Sequence, residues 1–188
     1  MILTLIHLAR FHFDSSTFIT LAGTWVWLGI YISVPIAMGI LWFIQARQTG
    51  EDPPRNAPLP SWLRIALILQ GTLMFLWGGA MFIFPETMIP LWAWKLSPLT
   101  SQAIGAWGAG IGVIALHASW ENDWSRLFPM MLSYTIYGIL QIISLIRYPE
   151  FLDWSHFSAI DYTIFIVSIF LIGGYGTLVA WRKKDSLV

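Results

Sequence analysis

The chain has 188 residues, of which 57% are apolar and 11% charged, with a formal net charge of zero and no cysteine. An average soluble domain carries roughly 25% charged residues, so this chain has too little polar surface to coat a globule and needs lipid as its solvent. The balanced charge, with no basic run longer than Arg182 to Lys184, excludes a nucleic-acid partner, and the lack of cysteine excludes disulfides, thiolate metal sites and thiol nucleophiles.

Five stretches contain no Asp, Glu, Lys or Arg: 18–46, 65–85, 96–120, 127–146 and 162–181. Each has at least about 20 residues, enough at 1.5 Å rise to cross a hydrocarbon core of roughly 30 Å. The expected fold is all-α: a polytopic integral membrane protein in one transmembrane domain over 1–188. Its spans are expected at about 18–45, 65–85, 101–119, 127–147 and 160–181, after a short N-terminal helical segment.

Met1 to Leu8 is apolar but too short to span, and it lacks the basic start and small-residue cleavage site of a signal peptide. It reads as half a helix, followed by a polar break in which Asp14, Ser15 or Ser16 is expected to cap the first span. Pro35 near the middle of that span is expected to kink it. The loop 46–64 holds Pro53, Pro54, Pro58 and Pro60, which forbid a helix through it and make it the main linker.

Pro85 ends the second span, and Thr100 or Ser101 is expected to cap the third. The third span carries Gly105, Gly108, Gly110 and Gly112; the pair Gly108 and Gly112 would admit a neighbouring helix closely, which predicts a central position. Asp123 or Ser125 is the expected cap of the fourth span, whose first turn tolerates Pro129. Gly173, Gly174 and Gly176 loosen or pack the second half of the fifth. Tryptophans 42, 62, 92, 94, 120, 124, 154 and 181 fall at span ends, where the indole prefers the headgroup level.

Cytoplasmic loops accumulate Lys and Arg. With the C-terminus inside, that side collects Arg47, Arg55, Arg64, Arg126, Arg182, Lys183 and Lys184, against Arg10, Lys95 and Arg147 outside. The expectation is a multi-pass cell-membrane protein with a cytoplasmic C-terminus. Segments 1–47 and 137–184 share a layout of apolar helix end, arginine, aromatic and acidic break, and span with a basic stop. That layout reads as a degenerate internal repeat lacking the partners of the second and third spans.

The segments HLARFHFDS, GTWVWLGIYISVP, EDPPRNAPLPSWLR and PLWAWKLSPLTSQAIGAWGAGIGV carry a resemblance that extends over most of the chain. They resemble an uncharacterised bacterial multi-spanning membrane-protein family with a Trp-rich turn followed by Leu-Thr and Gly-Ala-Trp motifs. The chain looks like an N-terminally shortened member, departing at Ala93 and at Ser97-Pro98. The resemblance implies architecture and assigns no activity.

Ionisable groups in mid-membrane would mark an ion path, and none occurs at mid-span. Gln70, Gln102 and Gln141 are the polar residues within or beside spans, expected to make interhelical hydrogen bonds or, in a carrier, to line a pocket. His7 and His117 sit on apolar helical stretches and are the candidate axial ligands of a tetrapyrrole, against the plainer role of interfacial histidines. Glu121 with Asp123, and Glu150 with Asp153, read first as caps and solvated loop charge. No HExxH, GxSxG, P-loop or dinucleotide fingerprint is present.

The leading expectation is therefore a non-catalytic membrane subunit or scaffold, with the lipid bilayer and other membrane subunits as partners and no cofactor assigned. A haem- or chlorophyll-binding subunit and a small-molecule or lipid carrier are the alternatives.

Overall fold

The computed structural model describes residues 1–52 and 54–184, and among these every regular element is helical. The chain divides into two compact units, 1–53 and 54–188, each described by itself.

In the first unit α1 (Ile2–Ile6) is a little shorter than the apolar opening block and leads through a turn at Leu8–Arg10 to α2 (Phe18–Ala46). Thr17 occupies the cap position of α2, and the Ser15 hydroxyl accepts from its amide at 3.2 Å. The Trp27 indole N–H donates to Thr4 at 3.4 Å and its ring stacks on Tyr31 at 4.3 Å, tying α1 to α2. The helix runs without interruption across Pro35.

The second unit contains α3 (Ser61–Ile83), the short α4 (Pro85–Met88), α5 (Pro98–Glu121), α6 (Trp124–Arg147) and α7 (Phe157–Lys184). With α2, the four long helices make five that are long and apolar enough to cross a membrane. All four begin three or four residues before the expected spans, because their first turns use aromatic, proline and polar residues that hydropathy does not count. For α5 this moves the cap from Thr100 or Ser101 to Ser97, whose hydroxyl accepts from the Thr100 amide at 3.2 Å, with Pro98 following at the position where its fixed φ fits. Ser101 is instead buried, donating to the Met81 carbonyl at 3.2 Å.

Two antiparallel pairs form the bundle, α3 with α5 and α6 with α7. Glycine permits the first. A Cβ on Gly78 would stand 2.6 Å from the Gly105 carbonyl oxygen, and one on Gly112 would stand 2.7 Å from that of Gly71. Seven residues separate the glycines on each helix, so two backbone contacts fall on one seam two turns apart. The closest spacing is thus Gly105 with Gly112; a Cβ on Gly108 would meet Gly78 at an ordinary 3.6 Å, although one on Gly78 would stand 3.0 Å from the Gly108 backbone, and Gly110 faces open space. The second pair is closed by Gly138 against Phe170, Gly173 against Tyr134 and Thr135, and Gly176 against Met131. Leu67, Met74, Ala115, Met131, Tyr134 and Ile169 join the pairs in one core. Gln70, buried at mid-span, crosses between them by donating to Ser168 at 2.8 Å. α5 therefore sits in one pair of the bundle rather than at its centre.

Candidate functional site

The antiparallel order gives the second unit two ends. At one lie the starts of α3 and α6 with the ends of α5 and α7; at the other lie the ends of α3 and α6 with the starts of α5 and α7.

The first end is sealed over the core by a strap, with a smaller cavity left at its side between α5 and α6. Asn122 takes a left-handed conformation, φ 52°, that turns the chain from α5 into α6. This bend offers side-chain oxygens to the segment that precedes α3: the Ala57 amide donates to the Asp123 carboxylate at 3.0 Å and the Leu59 amide to Asn122 at 3.1 Å. The Trp124 amide returns a bond to the Ala57 carbonyl at 2.9 Å. Prolines 58 and 60 hold this strap extended, so its amides face the bend rather than form a helix. Arg64 bonds the Ser119 carbonyl at 2.9 Å, and Glu121 pairs with both Arg55 and Arg126. Asp123 is only 1% exposed and Trp124 only 2%. Burial by itself would raise the Asp123 pKa, but the Ser125 hydroxyl and the amides of Ala57, Ser125 and Asn56 outweigh it and hold the carboxyl below its usual 3.8.

The second end repeats the parts without the closure. Asp153 accepts from the hydroxyl and amide of Ser155, as Asp123 does from Ser125. Its own amide donates to the carbonyl of Ala93 at 3.0 Å, one residue earlier in the motif than the Trp124 amide that reaches Ala57. Ser155, with a smaller contribution from His156, holds this carboxyl also below its usual range, against partial desolvation. Here Trp154 is 49% exposed, and the rings of Trp92, Trp94 and Tyr162 line an open cavity of about 1090 Å³. The Tyr162 hydroxyl donates to Gln141 at 2.8 Å, fixing one wall. Lys95, Glu150, Asp153 and His156 stand around the same space. The indole N–H of Trp92 is buried without an acceptor.

The polar and histidine candidates separate accordingly. Gln70 and Gln141 both bridge helices, and Gln141 also lines the cavity; Gln102 bonds the Phe82 carbonyl at 3.3 Å. His117 is exposed on α5, edge-on to Trp120 at 6.0 Å, and borders a smaller cavity of about 340 Å³ with Glu121, Arg126 and Met130. His7 lies in the first unit, half-buried after α1. Among the described residues no three His, Asp or Glu side chains are grouped to hold a metal ion.

Sequence reading placed Asp123 and Asp153 as caps but missed that each anchors a loop. The available signal was the tripeptide Asp-Trp-Ser, present at 123–125 and again at 153–155. Compared with known protein families, curated proteins and solved structures, the chain matches none.

Proposed function

We propose that the chain is a non-catalytic integral membrane subunit or scaffold that engages its partner or ligand at the open end of its second unit. The observation that carries this reading is a bundle seamed by backbone-to-backbone glycine contacts, sealed at one end and open at the other. Helices packed this closely resist the sliding a carrier needs, because close-packed interfaces shift between discrete arrangements rather than deform smoothly. No ionisable group lies at mid-span to couple transport to a gradient.

In orientation, Arg55, Arg64, Arg126 and Arg182 gather at the sealed end, followed in sequence by Lys183 and Lys184, against Lys95 and Arg147 at the open end. This asymmetry supports a cell-membrane protein whose sealed end and C-terminus are cytoplasmic and whose cavity faces the other side. A second reading, tetrapyrrole binding, draws on His117, exposed beside its own cavity. Purification from native membranes in gentle detergent tests both, with mass spectrometry of co-migrating chains and a visible spectrum on the same peak. Stoichiometric partner chains in a colourless peak are expected. A bound pigment would transfer the assignment to His117 and His7, and a lone colourless monomer would contradict the subunit reading.

A further inference from the structure

We infer that the cavity at the open end is a binding site for a methylated ammonium group, carried by a choline-like solute or by a phosphocholine lipid headgroup. The three rings form a corner: Trp92 and Trp94 meet at 4.9 Å and 76°, Trp94 and Tyr162 at 5.1 Å and 79°, Trp92 and Tyr162 at 5.8 Å and 61°. Rings in edge-to-face contact lock one another in place, and the aromatic surface that the three leave along the cavity can attract a cation without hydrogen bonding it. Two neighbours in the cavity wall hold the corner. Gln141 fixes the Tyr162 hydroxyl, and the Asp153 amide fixes the Ala93 carbonyl between the two tryptophans.

Charge decides the sign of the ligand. Glu150 and Asp153 face the cavity against Lys95 alone, while His156 has its Nδ1 engaged by the Ser158 hydroxyl at 2.6 Å. A primary ammonium or a metal ion leaving water would need oxygen ligands on most sides and would meet rings instead; a methylated ammonium has no such donors to satisfy. The cavity volume, about 1090 Å³, is at the upper end for small-molecule sites and is generous enough for a headgroup. Lys95 at the rim suits the phosphate of such a headgroup, which a free solute would not use.

The inference rests on reading the open end as a recognition surface, and its test stands apart from partner co-purification. Full-length protein in maltoside micelles is dialysed against radiolabelled choline, with tetramethylammonium and the uncharged isostere 3,3-dimethylbutanol as competitors. Expected is saturable binding displaced by tetramethylammonium and not by the isostere, weakened about tenfold by Trp94→Leu and measurably by Glu150→Gln. Glu150 is exposed and its variant keeps the fold, so a misfolded Trp94→Leu does not blunt the test. In nanodiscs of mixed phosphatidylcholine and phosphatidylglycerol, retention of the choline lipid without binding of free choline identifies the headgroup as the source. No retention of either, equal displacement by the isostere, or binding untouched by both variants overturns the site. Partner chains co-purifying without ammonium binding would remove the ligand and leave the subunit reading intact; choline binding by a lone monomer would do the reverse.

Discussion

The two ends of the second unit are built from the same parts and differ in what covers them. Each has an Asp-Trp-Ser segment, at the start of α6 in one and in the turn just before α7 in the other, and an alanine whose backbone bonds to it. At the sealed end the strap supplies amides that the Asp123 carboxylate accepts, and the indole of Trp124 is swallowed into the core against Tyr175. At the open end the Asp153 carboxylate accepts, among the described residues, from Ser155 alone, and Trp154 turns outward, its indole N–H on the Pro149 carbonyl at 2.8 Å. The same motif thus serves as a stopper when a second chain segment closes over it and as the rim of a cavity when none does.

The largest effect should come from the seam that both ends depend on. Gly78→Val forces a branched side chain against the Gly105 carbonyl and the Ala109 amide, for an expected loss of about 3 kcal/mol. Gly79→Val, facing open space, should lose nothing and gain less than about 1 kcal/mol, because valine is the better helix former; SDS titration in maltoside micelles reads both. Equal losses would mean that the seam is not where the bundle is held.

Next in size is the contrast between the aspartates. Asp123→Ala leaves the Ala57 amide buried without its acceptor and should cost about 2–3 kcal/mol. Asp153→Ala removes the acceptor of an exposed turn, the Ser155 amide and hydroxyl being left to water, and should cost about 1 kcal/mol or less. Similar values at the two positions would erase the distinction between the ends.

Acid sharpens it further. The folded Asp123 carboxyl titrates below its unfolded value of 3.8, so its stabilisation is fully present above that pH and is lost as pH falls through the lower folded value. Unfolding measured between pH 6 and the acid limit, each roughly chosen to bracket that value, should lose less stability in Asp123→Asn than in the unaltered chain. Smallest is Arg55→Ala: its side chain is 47% exposed where it pairs with Glu121, and such ion pairs contribute about 0.2–1 kcal/mol.

What the sequence made legible was whatever is written locally. Charge-free stretches located all five long helices, Asp123 was a readable cap, and indoles marked the ends. Helix starts ran early because Ser61, Pro98 and Phe157 open turns that lie outside the apolar block. The seam was only half legible: Gly108 and Gly112 caught the eye at a spacing of four, whereas an antiparallel partner on α3 selects Gly105 and Gly112 at seven. Segment 54–60 read as linker because its prolines exclude a helix, and nothing local says that the Ala57 and Leu59 amides will find acceptors more than sixty residues away. The ring corner was illegible for the same reason, since Trp92 and Trp94 become a site only when Tyr162 of α7 is folded against them.

The direct test of a sealed and an open end is thiol accessibility, which the lack of native cysteine makes clean. Ser119→Cys sits at the sealed end, where Ser119 is 5% exposed, and Ser144→Cys lines the open cavity. In maltoside micelles a charged maleimide should label position 144 readily and position 119 at least about tenfold more slowly, since buried thiols react through rare openings. Equal labelling rates at the two positions would contradict the account of one closed and one open end.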